Sequence, residues 1–90
     1  ARCSLDLSGR GALVFRGSFP RDNVGSLSTE MVEHFFRSLA ESLGAALHLE
    51  VRGENTHHMV EACVKCLGRA LRQAVRIEGT DLPSTKGMLQ

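Results

Sequence analysis

The stretch that decides the fold is STEMVEHFFRSLAESLGAALHLEV, residues 28–51. Val32, Phe35, Phe36, Leu39 and Leu43 recur at i, i+3, i+4, i+7 and i+11, which lines apolar side chains along one face of an α-helix. Ser28 or Thr29 can cap its start, Glu30 suits its first turn, and the helix is expected to end near Gly44. The period then changes. Leu47, Leu49 and Val51 alternate with His48 and Glu50, the pattern of a strand with one buried side. A helix passing directly into such a strand predicts a sheet covered by helices.

Working outward, RCSLDLS (residues 2–8) alternates Cys3, Leu5 and Leu7 with Arg2, Ser4 and Asp6, and reads as a strand. SGRG (8–11) is a turn signal and ALVFRGSF (12–19) a second strand, so a hairpin is predicted, ended by Pro20. RDNVGSLS (21–28) has room for one short strand around residues 24–27. Downstream, Asn55 or Thr56 can cap a second helix whose apolar stripe is Val60, Cys63, Val64, Leu67, Leu71 and Ala74. The tail EGTDLPSTKGMLQ (78–90) has no periodicity and reads as loop. The predicted architecture is a single α+β domain over residues 1–90, with its core in 11–75. It is a two-layer sandwich: a mixed sheet of three to four strands with two helices on one face.

Composition narrows the function. The chain has 90 residues, 42% hydrophobic and 23% charged, which suits one folded domain with one core. It has no Trp or Tyr and only four Phe, so that core rests on Leu, Val, Ala and Phe. A formal net charge of +1 argues against nucleic acid as the partner. No apolar run reaches the roughly 18–20 residues of a membrane span. Three cysteines are too few, and odd, for a disulfide scaffold, so a reducing intracellular compartment is expected. The sequence opens on a strand-like segment without an initiator Met, which reads as a piece of a longer chain.

RGENTHHMVEACVK (52–65) carries the chemistry. On a wheel of about 100° per residue with Val60 at zero, His57 falls near 60°, Glu61 near 100°, Lys65 near 140° and His58 near 160°. Glu61 lies between the histidines, at i+4 from His57 and i+3 from His58. The histidines diverge by about 100°, poorly placed for one ion and well placed for two on either side of the glutamate. Imidazole and carboxylate are ligands for Zn, Mn, Fe or Ni, and a helix N-terminus favours the neutral imidazole that ligates. The bland alternative is an exposed histidine pair beside an ordinary Glu61–Lys65 ion pair. His34 lies opposite the apolar stripe of its helix and reads as solvated; His48 points away from Leu47 and Leu49 and reads as a structural histidine, under a helix or at the sheet surface. Because the candidate ligands face away from the core, another chain or domain must close any metal site they form.

With DLSGR (6–10), VEHFF (32–36), the long run from GENTHH to RALRQA (53–74) and PSTKG (83–87), the sequence resembles the imidazoleglycerol-phosphate dehydratases of histidine biosynthesis. The resemblance implies the C-terminal half of a duplicated fold, its helices sandwiched between two sheets in the whole enzyme. Subunits of that family form a large homo-oligomer, with active sites between subunits around two Mn2+ ions. It further implies metal ligands at His34, His57, His58 and Glu61, and phosphate or substrate contacts at Arg10, Lys65, Ser84, Thr85 and Lys86. Residues 79–90 would then be a substrate-contacting C-terminal loop. The implied reaction is a hydro-lyase one, dehydration of D-erythro-imidazole-glycerol phosphate to imidazole-acetol phosphate. The proton to be lost is barely acidic, and two metals stabilising an imidazolate-like intermediate would ease its removal, with Glu61 also taking part in proton transfer. A cytoplasmic location, or a plastid in a plant, would follow, with no membrane or nucleic-acid partner.

The alternative is a non-catalytic metal-binding or assembly module of the same fold. A nucleic-acid-binding module resting on RALRQAVR lacks the charge and the stacking aromatics. Cys63 and Cys66 make a C-x-x-C without a partner pair, and Cys63 falls in the core stripe. Gly68 costs roughly 1 kcal/mol against Ala inside a helix, the kind of residue that lets a second helix approach closely.

Overall fold

The computed structural model describes residues 1–81, with side chains through residue 76. In chain order it forms β1 (Arg2–Asp6), β2 (Ala12–Arg16), β3 (Asn23–Val24), β4 (Leu27–Ser28), α1 (Thr29–Leu43), β5 (Ala46–Glu50) and α2 (Thr56–Asp81). The main sheet has three strands in the order β1-β5-β2, with both helices on one side, as expected. The β1–β2 hairpin does not form. The chain reverses at the SGRG turn, but β5 inserts between the two strands, antiparallel to β1 and parallel to β2. The turn signal specifies a reversal and says nothing about what fills the gap. The single short strand expected near residues 24–27 is instead a two-residue hairpin, Val24 facing Leu27, turned by Gly25 at φ 60°.

The register explains the core. Facing the helices are two cross-strand rows, Leu5–Leu47–Leu13 and Cys3–Leu49–Phe15. Over them lie Val32, Phe36 and Ala40 of α1 and Met59, Cys63 and Leu67 of α2, all buried. The opposite face carries Arg2–Glu50–Arg16 and Ser4–His48–Val14, which places His48 at the exposed sheet surface rather than under a helix.

Local chemistry sets the helix ends. Ser28 caps α1, its side chain accepting from the Glu30 N–H at 3.3 Å. Thr29, the other candidate, instead donates its hydroxyl to the Asp22 carbonyl at 3.1 Å, tying α1 to the loop before it. Gly44 ends the helix in the left-handed region (φ 63°), and the Ala45 N–H returns to the Ala40 carbonyl at 2.9 Å. Gly11 is needed for closeness, since a Cβ there would sit 2.4 Å from the Glu41 backbone. α2 runs further than its apolar pattern. It includes residues 78–81, read from sequence as loop, because an established helix adds one hydrogen bond for each residue it fixes. At 26 residues it is about 39 Å long and overhangs strands of five residues, which gives the molecule its 47 Å length and 21 Å width. None of the described helices is long and apolar enough to cross a membrane.

The α1 stripe divides in two. Phe36 is fully buried, whereas Phe35 is 54% exposed and meets Phe36 only edge-on, ring centroids 5.3 Å apart. Met31, Leu43, Val64 and Val75 are also largely exposed, so the helical layer keeps apolar side chains that the other described residues do not cover. Truncating Phe36 to Ala should cost about 3–5 kcal/mol, and Phe35→Ala about 1 kcal/mol, read as urea-unfolding midpoints of this chain.

Candidate functional site

The loop before α2 and its first two turns build the site. Asn55, not Thr56, is the cap: its Oδ1 accepts from the His58 N–H at 3.0 Å, and its carbonyl from the Met59 N–H at 2.9 Å. Thr56 is buried, and its hydroxyl accepts the Arg21 N–H at 3.2 Å. That bond draws the loop before β3 against the helix start, so Arg21, Asn23, Glu54 and His57 share one depression. Arg21 and Glu54 were not singled out from sequence. Arg21 lies 35 positions from the hydroxyl that anchors it, and no local periodicity marks such a contact.

With the helix start pinned, His57, His58 and Glu61 project into solvent. His57 Nε2 lies 2.7 Å from Glu61 Oε1, the i, i+4 contact the spacing predicts. A neutral His57 ring makes that contact by donating its Nε2–H to the carboxylate, which leaves Nδ1 with a free lone pair. The His58 ring diverges, 6.1 Å from His57 centroid to centroid and tilted by 70°. The Glu61–Lys65 ion pair of the bland alternative is not formed; Glu61 is engaged by His57. Both partners are more than half exposed, so the contact adds little to stability.

The other candidates are dispersed. His34 is exposed on α1, in a different depression beside Gly17, Phe19, Glu30 and Arg37. The topology still puts it at the same end of the sheet as the histidine pair. Both helices start where β2 and β5 finish, at the Arg16–Glu50 end. Arg10 sits at the opposite end, in the turn between β1 and β2, whose Gly9 N–H bonds the Gly44 carbonyl at 2.8 Å. The two ends are separated by the length of β5, about 13 Å of strand. Lys65 is exposed one turn beyond Glu61. Ser84, Thr85 and Lys86 lie outside the described residues.

Imidazole nitrogens and a carboxylate are the right donor types for a divalent ion of the Mn or Zn kind. Among the described residues, however, no group of three or more His, Cys, Asp or Glu lies close enough to hold a metal ion. His34, His57, His58 and Glu61 are exposed, with only His57 and Glu61 in contact.

The comparisons with known proteins agree with one another. The family model described as Imidazoleglycerol-phosphate dehydratase matches residues 1–71. The "Histidine biosynthesis bifunctional protein HisB" of Xanthomonas axonopodis pv. citri (strain 306) is 61% identical over 89 residues, covering 99% of this chain and 24% of the relative. The protein of the same name from Xanthomonas oryzae pv. oryzae (strain PXO99A) is 60% identical over 89 residues. Among solved structures, the crystal structure of imidazoleglycerol-phosphate dehydratase from Staphylococcus aureus subsp. aureus N315 superposes with a TM-score of 0.74 at 41% identity. It covers 77% of this chain and 41% of that one. The chain thus spans about a quarter of the curated relatives and less than half of the solved structure.

The site and its scaffold should separate in a stability measurement. Asn55→Ala is expected to cost about 1 kcal/mol of unfolding free energy. Glu61→Gln and His58→Ala, being solvent-facing, should stay within about 0.5 kcal/mol of the parent chain in urea unfolding.

Proposed function

The chain belongs to the imidazoleglycerol-phosphate dehydratase family, and from that premise we propose that it is one half of a metal-dependent hydro-lyase. The reaction is removal of water from D-erythro-imidazole-glycerol phosphate to give imidazole-acetol phosphate, in histidine biosynthesis. The observation that carries this reading is the start of α2, where the capped helix holds His57 against Glu61 and turns His58 away.

In this reading His34, His57, His58 and Glu61 hold two manganese ions, with the missing ligands coming from the other half or another subunit. Bound there, the metal supplies Lewis acidity toward the substrate imidazole. Glu61, a ligand in this reading, also takes part in proton transfer, and its contact with the His57 ring fixes where the carboxylate points. Lys65, one turn along the helix, directs an ammonium at the phosphate. Arg10 lies at the far end of the sheet from the histidine pair, so its phosphate contact is made in a site completed by another copy. Ser84, Thr85 and Lys86 add hydroxyls and a charge from the C-terminal segment. A covering surface also expels water from a site whose His57 and Glu61 side chains are 62% and 52% exposed in this chain alone.

The exposed apolar side of the helical layer supports the same reading, since it suits packing against a second pair of helices. Gly68 lies four residues after the exposed Val64 and seven before the exposed Val75, and a Cβ added to it meets nothing among the described residues. A large homo-oligomer working in the cytoplasm, or in a plastid, completes the proposal.

The test uses the longer parent protein. Intact protein should contain manganese and turn over, His58→Ala should lose metal, and Glu61→Gln should lower kcat by about 10²–10⁴-fold. The 90-residue chain by itself should be inactive. Metal content and turnover unchanged in both variants would refute the metal assignment; metal retained without any wild-type turnover would mark a non-catalytic module. Gly68→Ala gives a second check. It should stabilise the separate chain by about 1 kcal/mol and weaken its association with the other half, measured by sedimentation of the two halves.

A further inference from the structure

The flank of α2 away from the histidine pair brings together residues that the proposed reaction does not use. Cys3 stands on the helix-facing side of β1, partly buried against the core. Cys66 lies one turn beyond the fully buried Cys63, on the flank of α2 that meets β1. The two half-buried thiols line one cleft, bounded by Ser4 and Leu5 on the strand and by Arg69 and Ala70 on the helix. Burial first, and then the neighbouring Cys66, push the Cys3 thiol up to about 11. Two cysteines far apart in the chain thus line one solvent-open groove.

We propose that Cys3 and Cys66 are a reversible oxidation site, closed by a peroxide into a disulfide that fastens β1 to α2. Cys3 is held protonated, so Cys66 reacts first. Its thiolate attacks the peroxide, an S–O bond forms as the O–O bond breaks, and the departing hydroxide takes up a proton. Cys66 is now a sulfenic acid. The Cys3 sulfur then attacks the Cys66 sulfur, the S–S bond forms, and hydroxide leaves with the Cys3 proton as water. In sum, two thiols lose two electrons and one hydrogen peroxide becomes two waters. Cys63 stays out of the exchange because no part of it is exposed to the oxidant.

The test is hydrogen peroxide treatment of the folded chain followed by counting of free thiols and peptide mapping. Free thiols should fall from three to one, with Cys3 linked to Cys66 and Cys63 still free. Dithiothreitol should restore all three, and the oxidised chain should melt several degrees higher, as expected when a long loop is closed in the unfolded state. In Cys3→Ser, Cys66 should stop at a dimedone-reactive sulfenic acid. Three thiols persisting in the wild type, a Cys63–Cys66 link, a link between molecules, or sulfinic acid on Cys66 beside a free Cys3 would each overturn the proposal.

Discussion

Leu47 and Leu49 of β5 carry the molecule. They are the middle members of both inward rows, bonded through the backbone to β1 on one side and β2 on the other, and covered by Phe36 and Cys63 above. Every other element is placed relative to that contact. α1 is the crossover that returns the chain from β2 to β5, and α2 lies over β1 because β5 delivers it there. The histidine pair projects from the end of the sheet because Gly53 to Asn55 turn the chain immediately after this strand. Apolar burial of this kind is worth roughly 1.5–3 kcal/mol for each side chain, far more than any exposed ion pair in the chain.

The difference between the buried and the exposed apolar surfaces bears on function. A helix that served only this core would need one stripe. α1 has a stripe wide enough to include both Phe36, fully buried, and Phe35, more than half exposed. His34 and the histidine pair lie at the end of the sheet where both helices start, whereas Arg10 lies at the opposite end. A surface that is apolar in part, bears exposed imidazoles in part and has Arg10 at its far end is what the proposed shared site requires.

What could be read from sequence was mostly what is local. Ser28, Gly44 and Asn55 end their helices through bonds that span a few residues, and the His57–Glu61 contact follows from an interval of four. The strand pattern at residues 46–50 was equally plain. Partners distant in the chain were not legible. The SGRG turn fitted a hairpin as well as it fits a pair of strands parted by β5, and the choice is made by residues more than 30 positions away. Phe35 and Phe36 look alike on a helical wheel because both are apolar at stripe positions, yet one is buried in this core and the other is more than half exposed. Cys3 and Cys66 became neighbours only once β1 was placed beneath α2.

The strand order also governs how such a chain can be made. During synthesis β1 and β2 emerge first, yet neither has the other for a partner; both wait for residues 46–50. Until those residues leave the ribosome, the nascent chain carries two strands with unbonded edges and apolar faces. α1, whose contacts are local, can form meanwhile. The sheet then closes in one late event, when a single short segment completes two ladders. A pause or truncation before residue 50 leaves a species prone to pair with its neighbours.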